Sequence, residues 1–178
     1  MKKQSQDLKL AVFASGQGSN FRKILESSLR PQIALLFSDV ADSGAVSVAH
    51  KEGIPVIIDS DPARVELEGI DRIILAGYMK ILSPEFIGNW QEKIINIHPS
   101  LLPLYPGQFA IKKAHLAAEE RTGITIHEVV VEVDSGPVLY QEELSIHDDD
   151  TLDELESKIH TLEHNAYSRV IQEWIQAG

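Results

Sequence analysis

The stretch LKLAVFASGQGSN, residues 8–20, indicates the fold class of the chain. Its first part, residues 8–14, is a short apolar run of the kind that forms a parallel strand covered on both faces. Two glycines, Gly16 and Gly18, follow directly, and a segment that can form a helix over residues 20–28 comes next. A buried strand, a glycine turn and a helix, in that order, predict the first unit of an α/β sheet.

The alternation of strand and helix continues through the first half of the chain. A second helix is expected over residues 44–52. Further apolar runs rich in Ile, Val and Leu predict strands over residues 33–38, 55–59, 72–76 and 94–98. Strands with helices between them predict an open, mostly parallel, Rossmann-like sheet with helices on both faces.

The second half of the chain has a different pattern. Two β-rich runs, residues 124–131 and 138–146, are joined by the turn-forming segment EVDSGP, residues 132–137, and predict an antiparallel extension of the sheet. From Thr151 onward, apolar residues recur mostly at steps of three and four, and Thr151 and Glu154 have the spacing of a capping box. One long C-terminal helix is therefore expected.

Length and composition restrict the possible classes of function. A chain of 178 residues is expected to form a single domain over residues 1–178. Its net charge of −11 repels phosphate backbones, so nucleic acid is not expected as a partner. The absence of cysteine excludes disulfides and thiolate metal sites, and it fits a reducing compartment such as the cytoplasm. No apolar run approaches the roughly 20 residues of a membrane span, so no membrane partner is expected; monomer and homodimer both stay open.

The glycine turn does not match a dinucleotide-binding fingerprint. The third glycine of that motif is replaced by Phe21, whose bulk obstructs the close approach of helix and sheet. The amides of the turn and the Ser19 hydroxyl, beside a helix N-terminus, can still hold one phosphate group. Alternatively, Gly16 and Gly18 only make a tight turn, and Ser19 or Asn20 caps the helix.

The segment IINIHPS, residues 94–100, carries the candidate chemistry. Strand alternation places Asn96 and His98 on one face, near the carboxyl end of a strand where open α/β sheets bind ligands. An amide donor and an imidazole suit the stabilisation of an oxyanion and the protonation of a leaving amine. Asp134, in a glycine-containing loop, is the best candidate for the carboxylate that holds the imidazolium. The alternative is that Asn96 and His98 are polar residues at a strand end and that Asp134 is a turn residue.

The sequence around these residues resembles one known family. NIHPSLLPLYPG, residues 96–107, looks like the signature of the phosphoribosylglycinamide formyltransferases, and its NIHPSLLP part is specific for the formyl-transferring superfamily. Further similar segments are SGQGSN at 15–20, LAGYMKILSP at 75–84, TGITIH at 122–127 and VDSGPV at 133–138. The resemblance covers nearly the whole chain, in order, and implies the formyltransferase fold.

The resemblance implies a reaction without a metal. A formyl group would pass from 10-formyltetrahydrofolate, the donor cosubstrate, to the amine of N1-(5-phosphoribosyl)glycinamide in the de novo biosynthesis of IMP, a purine nucleotide. Asn96 and His98 would polarise the formyl oxygen and handle the proton, while Asp134 would raise the basicity of His98 and order water.

The resemblance also implies two groups of binding residues. The ribonucleotide, with its phosphate, sugar and glycinamide, would be held by Gly18, Ser19, Asn20, His160 and Glu163. Folate would lie against Met79, Lys80, Ile81, Leu82, Asn96, Val130, Val131, Glu132, Val133 and Asp134.

Two departures from the family pattern affect the folate site. Between Asp59 and Arg72 the chain is shorter than in the family, where a helical segment carries an arginine expected to meet the folate tail. Arg64 is a possible replacement for it. Lys80 stands where many relatives have arginine, so the charge is kept but the bidentate fork is lost.

Other functions remain as alternatives. Within the superfamily they are a formyltetrahydrofolate hydrolase and a sugar or methionyl-tRNA formyltransferase; outside it, a non-catalytic relative that only binds ligands. His160 and His164 are four residues apart, but residue 161 is a threonine where the metalloprotease motif needs glutamate, so no metal site is predicted. His115, His127 and His147 show no partner pattern and are interpreted as structural or solvated.

Overall fold

The structure is a computed structural model that describes residues 4–177; residues 1–3 and 178, the ends of the expected domain, lie outside the described residues. The strands are β1 (Leu10–Phe13), β2 (Ile33–Ser38), β3 (Val56–Ile58), β4 (Arg72–Leu75), β5 (Ile94–His98), β6 (Arg121–Glu128) and β7 (Val138–Ser145). The α-helices are α1 (Ser19–Leu25), α2 (Gly44–Glu52), α3 (Pro84–Asn89), α4 (Ala110–Leu116) and α5 (Leu152–Ala177). Three short 3-10 turns cover Ser5–Asp7, Arg30–Gln32 and Pro62–Arg64.

These strands form one sheet in the order β3-β2-β1-β4-β5-β6-β7. The strands from β1 to β5 pair in parallel, whereas β6 and β7 are antiparallel to their neighbours. This arrangement confirms the predicted mostly parallel sheet with an antiparallel extension. The chain runs outward from β1 on one side and from β4 on the other, so the carboxyl ends of these strands border the crevice where such sheets bind ligands.

Both faces of the sheet are covered, as the continuous apolar strands predict. One face carries Val12 and Ile95 and packs against α1, α2 and α5. The opposite face carries Phe13 and Ile73 and packs against α3, with partly buried residues of the segment between β3 and β4. Between β3 and β4, that segment forms the short turn Pro62–Arg64.

The long C-terminal helix is confirmed, together with its predicted cap. The backbone N–H of Thr151 donates to Glu154 Oε2 at 2.8 Å, and the N–H of Glu154 donates to Thr151 Oγ1 at 3.3 Å. Ile159 and Val170, among the predicted core positions, are buried. The Tyr167 hydroxyl donates to Leu75 O at 2.6 Å and so joins the helix to the end of β4. The helix thereby presents its middle turns to the crevice.

Two short helices were not predicted. The start of α3 has a recognisable signal, because the Ser83 side chain accepts from Phe86 N–H and proline occupies the first turn. The start of α4 has none, since Phe109 precedes it in the left-handed region at φ 63° and makes no side-chain cap. Strand β6 also begins at Arg121, three residues before the predicted start. Within residues 4–177, no helix is long and apolar enough to cross a membrane.

Candidate active site

A cavity of about 630 Å³ lies at the carboxyl ends of β1, β4 and β5. The glycine turn after β1 lines one end, and the segment after β4 lines another wall. Asn96, His98 and Asp134 lie between them, and His160 and Glu163 reach the cavity from α5. The residues predicted for catalysis and for the ribonucleotide, and most of those predicted for folate, therefore line one cavity.

The predicted pair on β5 points into this cavity. Asn96 and His98 share one face of the strand, while Ile95 and Ile97 pack into the core on the other. His98 is only 5% exposed, and its Nδ1 lies 3.4 Å from Asp134 Oδ2. His98 and Asp134 are therefore in contact, and Asn96 lines the same cavity.

Local backbone geometry brings Asp134 to His98. Asp134 itself adopts a left-handed conformation with φ 53°, and its Oδ2 accepts the Gly107 N–H at 2.7 Å. Gly136 packs so closely on β6 that a Cβ there would lie 1.8 Å from Glu128 O, so only glycine fits. The loop after β6 and the proline-rich loop after β5 are thus held against each other with the carboxylate between them.

The surroundings of Asp134 favour its charged form. Burial raises the pKa of Asp134, but the hydrogen bonds from His127 and Gly107 N–H and the nearby His98 imidazole outweigh burial, so the pKa lies below its usual value. The carboxylate is therefore ionised at neutral pH and available to a cationic partner.

The contacts of His98 indicate where its protons lie. Its Nε2 is 2.8 Å from the carbonyl oxygen of Tyr105, which can only accept, so Nε2 carries a hydrogen. Its Nδ1 faces the Asp134 carboxylate, which also only accepts when ionised. Both ring nitrogens of His98 therefore face oxygen atoms of the protein. The site thus holds a proton donor beside the Asn96 amide.

His127 belongs to the same centre, although the sequence showed no partner for it. It is 2% exposed; its Nε2 lies 3.5 Å from Asp134 Oδ1 and 3.4 Å from Asn96 Nδ2. Its Nδ1 lies 2.9 Å from Glu128 O and donates to that carbonyl. Asn96 and His127 are directly opposite each other in the β5–β6 pairing. The role of His127 could therefore be found only from the register between β5 and β6, which a single sequence does not reveal.

The glycine turn packs tightly against α2. Gly18 has φ 75°, and a Cβ there would lie 2.7 Å from Ala45 Cα, so glycine is required. Helix α1 begins at Ser19, and Gly18, its N-cap residue, makes no side-chain cap. The alternative in which Ser19 or Asn20 caps the helix is therefore wrong, and the Ser19 hydroxyl is not engaged in a cap.

A buried carboxylate links the glycine turn to α5. Glu163 is 5% exposed, and its Oε2 accepts from Asn20 Nδ2 at 3.0 Å and from His160 Nδ1 at 3.1 Å. The hydrogen bond that His160 donates to Glu163 raises the pKa of His160, and burial opposes this shift; burial lowers the pKa of the neighbouring His164. The cationic form of His160 is thereby favoured beside the glycine turn.

The wall predicted to meet folate is largely apolar. Met79 and Ile81 are exposed toward the cavity, and Leu82 is buried beneath them. Val130, Val131 and Val133 line the same space from the loop after β6. Neither Arg64 nor Glu132, both predicted to contact folate, is among the residues that line the cavity.

Lys80 is engaged within the protein. Its Nζ donates to Ser60 O at 2.9 Å and lies 3.7 Å from Asp39 Oδ2. Within residues 4–177, no group of three or more His, Asp and Glu side chains is placed to hold a metal ion.

Comparison with known proteins gives consistent similarities. A model of the formyl transferase family matches residues 8–171. The chain is 36% identical to the phosphoribosylglycinamide formyltransferase of Bacillus subtilis, over 93% of each protein. It is also 35% identical to the trifunctional purine biosynthetic protein adenosine-3 of Gallus gallus. That match covers 95% of this chain but only 18% of the longer protein.

Solved structures also resemble this fold over most of its length. The crystal structure of phosphoribosylglycinamide formyltransferase from Bacillus halodurans superposes with a TM-score of 0.85 at 36% identity. The match covers 93% of this chain and 94% of that one. The shared architecture therefore extends over both chains rather than over one motif.

Proposed function

Because this chain belongs to the formyl transferase family, we propose that it transfers the formyl group of 10-formyltetrahydrofolate to the amine of N1-(5-phosphoribosyl)glycinamide. The observation that carries the proposal is the convergence of Asn96, His98 and Asp134 on one cavity. That cavity also has a phosphate-sized glycine turn and an apolar wall suited to a flat ring. A donor and an acceptor can therefore meet at the catalytic centre.

The mechanism follows from the positions of these groups. The acceptor amine attacks the formyl carbon, and the formyl oxygen becomes the oxyanion of a tetrahedral intermediate. The Asn96 amide donates a hydrogen bond to that oxyanion. The His98 Nε2–H exchanges its Tyr105 carbonyl acceptor for the oxyanion and becomes the second donor, while Nδ1 stays against Asp134. The intermediate then collapses: the bond from carbon to the folate nitrogen breaks, that nitrogen gains a proton through His98, and the new amide nitrogen loses one. Asp134 keeps the imidazolium in place and orders water.

The two substrates would occupy opposite ends of the cavity. Gly18, Ser19 and Asn20 bind the ribonucleotide phosphate, and His160 and Glu163 reach its sugar and glycinamide. Folate lies along Met79, Lys80, Ile81, Leu82, Val130, Val131, Val133 and Asp134. We place the enzyme in the cytoplasm, acting on small molecules as a monomer or homodimer.

Turnover of 10-formyl-dideazafolate, followed by absorbance, tests the proposal directly. With glycinamide ribonucleotide present, the deformylated product should form; without it, no product should form. Formate release without acceptor would instead support a hydrolase. Binding of both ligands without turnover would support the non-catalytic alternative.

Replacement of Asn96 by alanine should lower kcat by about a hundredfold to a thousandfold, because one preorganised oxyanion donor is lost. The measurement is kcat at saturating concentrations of both substrates. Asn89→Ala, at the exposed end of α3, is the matched control and should retain wild-type kcat. A kcat for Asn96→Ala equal to that of the control would show that Asn96 does not stabilise the transition state.

The KM for the ribonucleotide should depend on the charge of His160. The raised pKa of His160 keeps this residue cationic at lower pH, so its attraction for the anionic ribonucleotide is strongest there and weakens as pH rises through that pKa. KM for the ribonucleotide should therefore rise with pH in the wild type, and the part of this rise that is due to His160 should be absent in His160→Gln. The titration of the substrate phosphate affects both proteins equally. Exposed His147→Gln serves as the control. Parallel pH profiles of KM for wild type and His160→Gln would contradict this role.

A further inference from the structure

We infer that Ser15 and Asp39 are positioning residues that hold the glycine turn and the folate-side segment in a fixed relation. This inference rests on the proposed function, because it assigns the two segments to the two substrates. Neither side chain is among the residues that line the cavity. Their effect on the reaction is therefore exerted through the segments they join.

Ser15 makes direct bonds to the segment that follows β4. It is the residue immediately before the glycine turn, and its N–H donates to Gly77 O at 3.1 Å. Its hydroxyl oxygen accepts the N–H of Met79 at 2.9 Å. Ser15 thus contacts the backbone on both sides of Tyr78, directly before the residues from Met79 to Leu82 that line the cavity.

Asp39 fixes the orientation of the Ser15 hydroxyl. The hydroxyl donates its single hydrogen to Asp39 Oδ1 at 2.5 Å, which leaves an oxygen lone pair directed to Met79 N–H. A hydrogen bond to a carboxylate is stronger than one between neutral groups. The Asp39 side chain is only 7% exposed, so the contact is shielded from water. Ser15 has one arrangement in which both of its contacts are satisfied.

The second oxygen of Asp39 extends the network to the cavity. Its Oδ2 lies 3.7 Å from Lys80 Nζ, which itself donates to Ser60 O at 2.9 Å. The ends of three adjacent strands, β2, β1 and β4, are therefore joined through one carboxylate. Removal of Ser15 or Asp39 would free the folate-side segment to move relative to the glycine turn.

Variants of the two residues test the inference. A displacement of about 1 Å between reacting groups can cost about a hundredfold in rate. Ser15→Ala and Asp39→Ala should each displace the segments by less than this, so each should lower kcat/KM for donor and acceptor by about tenfold. The double variant should lose no more than the larger single loss, since both changes remove one unit. Asp39→Asn, whose amide oxygen can accept the Ser15 hydrogen, should recover most of the activity.

The control separates positioning from general stability. Thr151→Ala removes the cap of α5, far along the chain from both segments, and should lower the melting temperature while kcat/KM stays within about twofold of wild type. Calorimetric binding of 10-formyl-dideazafolate needs no turnover, so weaker binding by Ser15→Ala supports the inference even if the proposed reaction fails. Wild-type kcat/KM and analogue affinity in Ser15→Ala, or fully multiplicative losses in the double variant, would overturn it.

Discussion

Replacement of His98 by alanine is expected to lower kcat by about a thousandfold. A positioned proton donor commonly contributes about a hundredfold to ten-thousandfold, and His98 also donates to the oxyanion. The ring is buried and held between Asp134 and the Tyr105 carbonyl, so no mobile side chain can take its exact position. The measurement is kcat under saturation with both substrates, together with single-turnover rates that report the chemical step.

The control for this variant is His50→Ala, since His50 is an exposed histidine on α2. Its kcat should equal that of wild type. A circular dichroism spectrum and melting curve should show that His98→Ala remains folded. If His98→Ala kept more than about a tenth of wild-type kcat, another group would be handling the proton; His127, next to Asp134, would be the first candidate.

The sequence was sufficient to predict most of the sheet. The central strands β1 and β4 are largely buried on both faces, so they appear as short apolar runs, and β5 has the predicted bounds of 94–98. Helices α3 and α4 were missed because six or seven residues show little helical period, and because neither follows a strand directly through a glycine turn as the equally short α1 does. Short helices of this kind are fixed by the segments around them rather than by their own pattern.

Part of the site could be predicted from local geometry, and Asp134 was predicted as the carboxylate beside His98 from its place in a glycine-containing loop. Asn96 and His98 are two residues apart on one strand, so alternation alone puts them together. The contact of His127 with Asn96 depends on the register between β5 and β6, and the bond from Asn20 to Glu163 joins residues 143 positions apart. Such contacts follow from tertiary packing, and only the family resemblance suggested the role of Glu163.

The folate side shows the limit of transferring a family pattern. Arg64 was a candidate replacement for an arginine on a helix that this chain lacks, but it lies on the turn Pro62–Arg64 and does not line the cavity. The backbone of the same segment accepts the hydrogen bond of Lys80 through Ser60 O. The sequence alone did not indicate this contact.

Replacement of Asp134 by asparagine should lower kcat by about a hundredfold or more while keeping the shape of the side chain. The carboxylate lies within 3.4 Å of His98 Nδ1 and 3.5 Å of His127 Nε2, so its negative charge stabilises a cationic ring at either position. An amide keeps an acceptor for Gly107 N–H but removes that charge. Asp149→Asn, at an exposed position before α5, is the matched control and should leave kcat unchanged.

The same variant should reveal the contribution of Asp134 to stability. The pKa of Asp134 is depressed in the folded protein, so its charge stabilises the fold fully above the usual carboxyl range and loses this effect as pH falls through the depressed value. Wild type should therefore be more stable than Asp134→Asn at about pH 7, and the difference should shrink below about pH 4. Denaturant unfolding at several pH values measures it. A difference that is constant down to acid pH would mean that the variant acts through packing and not through charge, and a kcat equal to wild type would remove Asp134 from the mechanism.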